Sequence, residues 1–158
     1  MPLVGNVSWI AIIGLYIHIA GFVIGLGAVT VIDLHGFLGR NSSYWTEATT
    51  RTHKVTKPLI WLGLLLAIIG AIIFHYNQGW SPALIAQAII AGALIINGIF
   101  LSFKVSPFLI QREKEGRATE LLPTAWQKKI TIAFIVSFVG WWSELFLSVY
   151  HVMIYRGQ

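Results

Sequence analysis

The chain has 158 residues, of which 56% are hydrophobic and only 11% are charged. Soluble domains average about 25% charged residues, so this composition excludes an ordinary water-soluble protein and indicates a membrane protein. The net charge of +5 does not indicate nucleic-acid binding, because the basic residues stand in short loops between apolar segments.

Four apolar segments predict an all-α fold, an integral membrane four-helix bundle that forms a single transmembrane domain over residues 1–158. A helix needs about 20 predominantly apolar residues to span a bilayer. Acidic and basic residues are absent from residues 9–32, 58–103 and 130–143, and Gly79-Trp80-Ser81-Pro82 divides the middle run. The first segment has no basic leader region, so we expect it to be retained. The predicted helices lie at about 8–35, 57–76, 82–105 and 125–154.

The segment between the first two spans, residues 41–58, predicts a short amphipathic interfacial helix before helix 2. Ser42 or Ser43 is a suitable N-cap, and Pro58 suits the first turn of the following span. A plain solvated loop is the alternative interpretation of this segment.

The basic residues predict the orientation of the bundle. Ten of the eleven stand in the loops after helices 1 and 3. The positive-inside rule therefore places both loops in the cytoplasm and both termini outside, in a multi-pass protein of the plasma or inner membrane.

Four ionisable side chains fall within the predicted spans, where such groups are costly and usually face the bundle interior. His18 is nine residues after Trp9, which puts it on the order of 13 Å below the outer interface. Glu144 is predicted at a similar depth, with His75 and His151 nearer the outer surface. We expect these four side chains to line one cavity in the outer half of the bundle.

The first span carries glycines on the same helical stripe as its histidine: Gly14, Gly21 and Gly25 flank His18. One interpretation is close helix packing, which small residues permit. A second is a flat slot beside an imidazole, which suits a porphyrin. A third is a site for another ligand.

The slot interpretation predicts a b-type haem, since the chain has no cysteine for covalent attachment. His18 is then one axial ligand, and His75 or His151 is the other. Glu144 would hydrogen-bond an imidazole or relay protons, and Trp141 would wall the pocket.

A second polar cluster is predicted at the cytoplasmic edge, where Asp33, His35 and His53 stand. It suits a second haem, with nearby basic side chains pairing the propionates, or a divalent metal. Ordinary interfacial polar side chains are the alternative. The candidate propionate partners are Arg40, Arg51, Lys54 and Lys57.

The stretch GLYIHIAG, residues 14–21, within a four-span layout resembles small b-type haem membrane proteins, namely the copper-resistance D-like and HemJ-like protoporphyrinogen oxidase groups. For the HemJ-like group, the resemblance implies oxidation of protoporphyrinogen with bound haem. In that group the second helix carries a functional lysine, whereas here only Lys57 stands at the edge of predicted helix 2.

These observations favour a membrane haem protein that transfers electrons, with a quinone as a candidate partner and a haem-dependent oxidoreductase as its enzymatic form. Two alternatives remain at this point. One is a metal-ion or proton transporter or channel that uses the intramembrane histidines and Glu144. The other is a non-catalytic scaffold or subunit, acting as a homo-oligomer or within a larger membrane complex.

Overall fold

The computed structural model describes residues 8–39 and 41–155, and within them all regular structure is helical. Four stretches are long and apolar enough to cross a membrane, as predicted. The helices are α1 (Trp9–Leu38), α2 (Ser43–Phe74), α3 (Pro82–Phe100), α4 (Ser106–Lys114) and α5 (Thr124–Tyr155), with a π-helical segment, Leu101–Val105, joining α3 to α4.

Local sequence explains where the spans begin. The hydroxyl of Ser8 accepts from the amide of Ile10 at 3.3 Å, and Ser81 accepts from Leu84 at 3.2 Å. These contacts satisfy amides that have no partner within the first helical turn. Pro82 follows Ser81 in the first turn of α3, where a missing N–H is harmless.

The predicted interfacial helix is the first part of α2 and not a separate element. Ser42 caps it, and the helix continues through Pro58 to Phe74 without a break. Pro58 cannot donate to the carbonyl of Lys54, but a proline can kink a membrane helix without ending it. The segment is also tied to α1, because the Thr46 hydroxyl donates to the Gly39 carbonyl at 2.8 Å.

The third span is longer than predicted and carries a defect near its middle. Residues 82–114 form one continuous helical stretch in which the π-helical segment separates α3 from α4. Buried Arg112 holds the loop that follows this stretch, because it donates to the carbonyls of Arg117, Glu120 and Leu121.

The same loop contains Arg117, which is exposed and lies outside the spans. Its hydrogen bond to the Glu120 side chain raises the pKa of Arg117.

The bundle packs around a small apolar core at mid-depth and leaves large apolar side chains exposed on every span. The core contains Phe22, Leu26, Val29, Leu64, Leu94 and Trp141. Exposed examples, one for each span, are Ile19, Leu65, Ile89 and Val139. Such exposure is expected in lipid and is a liability in water, so the chain is a multi-pass membrane protein.

Contacts between the spans define two ends of the bundle. The start of α1 lies beside the end of α2, where Gly14 faces Phe74, and the end of α5 reaches the same level, where His151 contacts His75. The basic loops therefore lie at the opposite end. We name the two ends outer and inner according to the positive-inside rule. The basic residues Arg40 and Arg156 lie outside the described residues.

Candidate functional site

The glycine stripe of α1 packs against α2 and does not open a slot. A Cβ atom built on Gly14 would lie 2.6 Å from the amide nitrogen of Phe74, and one on Gly21 would overlap the backbone of Ala67. At Gly25 it would overlap the ring of Trp141. The prediction that these three glycines make room for a planar guest is wrong, because helix backbone and an indole ring already fill that space.

Helix α2 contributes matching glycines that the sequence reading missed. A Cβ on Gly63 would overlap the backbone of Gly25, and one on Gly70 would overlap the backbone of His18. The signal was present in the sequence, since these two glycines are seven residues apart and so share one helical face. Together the two sets of glycines bring α1 and α2 into backbone contact.

The open space lies instead between α2 and α3. A cavity of about 430 Å³, here called the outer cavity, is bounded mainly by these two helices, with α1 and α5 behind it. Four alanines supply much of its wall: Ala67 and Ala71 from α2, and Ala88 and Ala91 from α3. Three of the four predicted ionisable side chains, those of His18, His75 and Glu144, also line it.

His18 is 5% exposed and is held from two sides. Its Nδ1 lies 2.6 Å from the carbonyl of Ala67, and because a carbonyl only accepts, Nδ1 carries the proton. Its Nε2 lies 2.9 Å from the hydroxyl of Ser148. That hydroxyl is also 2.8 Å from the carbonyl of Glu144, so its single proton serves one acceptor at a time.

A polar cluster surrounds Ser148 at the rear of the outer cavity. The amide of Gln87 donates to the Ser148 hydroxyl at 2.8 Å. Within the described part of the chain, the buried atoms Oε1 of Gln87 and Oε1 of Glu144 have no hydrogen-bond partner. Most buried polar atoms in proteins are paired, so these two acceptors are the atoms with which a polar ligand in the outer cavity would hydrogen-bond.

His75 and His151 meet at the outer end, with ring centroids 4.5 Å apart. Nδ1 of His75 and Nε2 of His151 both donate to Oε1 of Gln78, at 2.9 and 2.8 Å. His75 lines the outer cavity, whereas His151 does not line it. Gln78, like Gly63 and Gly70, was missed by sequence reasoning, because it stands in the loop after α2.

Three side chains of the core, Leu64, Leu94 and Trp141, line the outer cavity on one side and a second cavity on the other. We call these three side chains the septum. The second cavity, about 110 Å³ in volume, lies toward the inner end and is called the inner cavity. Trp141, predicted as a pocket wall, is 2% exposed, whereas Trp142 is 46% exposed and faces outward.

The predicted cytoplasmic cluster is divided in the structure. Asp33 and His53 line the inner cavity, while the ring of His35 lies 5.2 Å from that of Trp45 and outside the cavity. No group of three or more His, Asp or Glu side chains among the described residues is arranged to hold a metal ion. The three-ligand cluster is therefore wrong, because residues two apart on a helix point to different faces.

The basic residues predicted to pair propionates have other partners where they are described. Arg51 forms an ion pair with Glu47 at 2.6 Å, and Lys54 with Glu113 at 2.8 Å. Lys57 lines the inner cavity and donates to the Ser102 carbonyl at 3.5 Å. The remaining candidate, Arg40, lies outside the described residues.

No protein-family model, curated protein or solved structure matches the chain. Its own fold and site therefore define its class. It is a multi-pass helical membrane protein with an outer cavity lined in part by histidines, an apolar septum and a smaller inner cavity that contains Asp33 and His53.

Proposed function

We propose that the protein binds a b-type haem in the outer cavity and transfers electrons in the plasma or inner membrane. His18 and His75 are the residues that would hold its iron. The observation that carries this proposal is the hydrogen bonding of the two imidazoles. Both side chains line one cavity, and both have Nδ1 hydrogen-bonded to a protein oxygen.

This hydrogen-bonding pattern is typical of metal-ligating histidines. A ligating imidazole almost always donates its other N–H to a carbonyl or carboxylate, which fixes the tautomer and the ring orientation. Ala67 does this for His18 and Gln78 does it for His75. The Ser148 hydroxyl beside His18 Nε2 has its own alternative acceptor in the Glu144 carbonyl, so a ligand can displace it from the imidazole.

The outer cavity also suits a large planar ligand. Its volume of about 430 Å³ falls within the range of roughly 300–1,000 Å³ common for ligand pockets. The alanines of α2 and α3 that line the cavity have short side chains and take up little of its space. Phe22 packs edge-on against the His18 ring, with the ring centroids 4.8 Å apart. The open space expected along α1 lies instead between α2 and α3.

Bound haem supplies one-electron transfer, and the chain supplies ligands and a dry environment. His151 acts through Gln78, which it holds in place for His75. Glu144 lines the cavity with an unpaired carboxyl oxygen, which makes it a position for taking up or releasing a proton.

The test is a reduced-minus-oxidised spectrum of the purified protein, with a pyridine haemochrome assay for haem type. We expect b-type bands in the wild type and in His53→Ala, a control in the inner cavity. We expect their loss in His18→Ala. A wild type produced with ample haem but without these bands, or a His18→Ala spectrum equal to the wild type, contradicts the proposal.

A proton channel or transporter is the second candidate, and the septum favours it. Two cavities that each contain ionisable side chains, on either side of one apolar layer, resemble the layout of a gated path. Proton flux into liposomes tests this candidate. Flux that requires Glu144 and persists in haem-free protein would favour it over electron transfer.

A further inference from the structure

The inner cavity contains polar atoms that the proposed haem site does not use. Oδ2 of Asp33 and Nε2 of His53 are buried without a hydrogen-bond partner in the described part of the chain. Asp33 is only 9% exposed, and both residues line the cavity. Unpaired buried polar atoms are rare in native proteins, so two residues with such atoms along one cavity make it a candidate binding site.

Two irregularities in neighbouring helices meet at the same cavity. Pro58 interrupts the hydrogen bonding of α2 one residue after Lys57, and the π-helical segment Leu101–Val105 follows α3. Ser102 of that segment links them, since its hydroxyl accepts from Trp61 Nε1 at 3.0 Å and its carbonyl accepts from Lys57. Such π-helical turns within α-helices frequently lie at functional sites.

The polar groups around the inner cavity are of mixed kind: an acid at Asp33, an imidazole at His53 and an amine at Lys57. The described residues contain no group of three or more possible metal ligands. A neutral molecule with polar hydrogens and oxygens fits the mixed set of groups best.

The walls of the cavity indicate an aromatic ring. Trp61, Trp141 and Phe134 line it, and aromatic side chains pack well against a planar ring. Phe37 also lines the cavity and is half exposed on the surface of α1, 6.3 Å from Phe134. The cavity thus reaches the surface of the bundle at Phe37, and a ligand dissolved in the bilayer would enter there.

We infer that the inner cavity binds a hydroquinone, the reduced ring of a membrane quinone, which donates one hydroxyl to Asp33 Oδ2 and another to His53 Nε2. The two atoms are then satisfied together. The role of this hydroquinone as an electron donor rests on the proposed haem function. Its binding in the inner cavity does not.

The test is calorimetric titration of the full chain in phosphatidylcholine nanodiscs with trimethylhydroquinone, kept reduced by ascorbate. We expect saturable binding of one ring per chain. Trimethylbenzoquinone should bind roughly tenfold or more weakly, because it has no hydroxyl proton for Asp33. Absence of saturable hydroquinone binding overturns the inference and leaves ordered water as the occupant.

Two sets of variants locate the binding. Asp33→Leu and His53→Phe should each weaken binding roughly tenfold or more, whereas Gln87→Leu in the outer cavity should bind as the wild type. His18→Ala should also bind the ring normally, even where it loses haem. Failure of the haem proposal is thus separate from failure of this one.

Two glycine substitutions test the same site by filling space, in case the Asp33 and His53 variants do not fold. Gly36 lines the inner cavity, and a Cβ there meets no atom within 4 Å. Gly27 is equally unobstructed and lines neither cavity. Gly36→Leu should abolish binding while Gly27→Leu retains it. Equal affinity in these two variants overturns the inference.

Discussion

Helix α2 faces two different neighbours, and the contrast explains how the bundle holds a cavity. Toward α1 it presents Gly63 and Gly70, and the two backbones touch. Toward α3 it presents Ala71, and a space of about 430 Å³ remains. Ala67 stands between the two sides, since its backbone lies against Gly21 and it also lines the cavity. Small residues thus have two effects on one helix: they close the interface with α1 and leave space beside α3.

The closed interface contains glycines and the gap is lined by alanines, and this difference has a physical reason. At the closed interface even a methyl group would overlap backbone atoms, which cannot move aside. At the gap the alanines, which carry a methyl group, line the cavity. The predictions below test this contrast, beginning with the largest expected effect.

Replacing Trp141 should damage both regions at once. Its ring covers Gly25 at the rear of the bundle and lines both cavities as part of the septum. We expect Trp141→Ala to lower the free energy of unfolding by about 3–5 kcal/mol, the usual range for removing a buried aromatic side chain. Circular dichroism during unfolding in mixed micelles measures this change. Trp142→Ala, at an exposed site, is the control and should have little effect.

A methyl group at the closed interface is the next test. Gly21→Ala should cost about 1–3 kcal/mol of unfolding free energy, since α1 and α2 must move apart to admit it. Gly27→Ala on the same helix should change stability by less than about 0.5 kcal/mol, because its Cβ meets nothing. Equal melting behaviour of the two variants would mean that α1 and α2 do not touch as described.

The Ser148 hydroxyl distinguishes a structural role for His18 from a ligating one. Ser148→Ala removes the partner of Gln87 Nε2 and of His18 Nε2, which should destabilise the protein by about 1 kcal/mol. If His18 binds iron, the haem spectrum should survive this change. Loss of the spectrum to the extent seen in His18→Ala would show that Ser148 is essential to the site.

Filling the gap should have the smallest effect on stability. Ala91→Leu places added carbons in the outer cavity, so we expect less than about 1 kcal/mol of change, or a slight gain. Haem content should nevertheless fall sharply. A large loss of stability would indicate that the gap between α2 and α3 is already filled.

Much of the fold follows from the sequence, because lipid imposes simple rules on it. The four spans are readable from uninterrupted apolar runs, and the stripe that contains Trp141 and Glu144 is buried as its spacing requires. The passage of α2 through Pro58 was not predictable, since proline ends some helices and kinks others. The π-helical segment also has no clear signature in the sequence.

The candidate site was only partly predictable from the sequence. The depth of a residue in the membrane can be read from its position along a helix, but the helix that packs against its face cannot. His18, His75 and Glu144 share a cavity as expected from their depths. The glycine stripe was correctly seen as a face, but its partner depends on long-range packing that one sequence does not reveal. The inclusion of His35 in the predicted cluster was an avoidable error, since a residue two positions from Asp33 lies on another face of the helix.

The septum has an electrical consequence for a protein in an energised membrane. In the proton path that is the second candidate function, water would enter both cavities, and the bilayer would be thinned to the layer formed by Leu64, Leu94 and Trp141. Nearly all of the transmembrane voltage then falls across these three side chains. An elementary charge that crosses them gains or loses about 2.3 kcal/mol per 100 mV, so traffic through the centre of this bundle would respond to membrane potential.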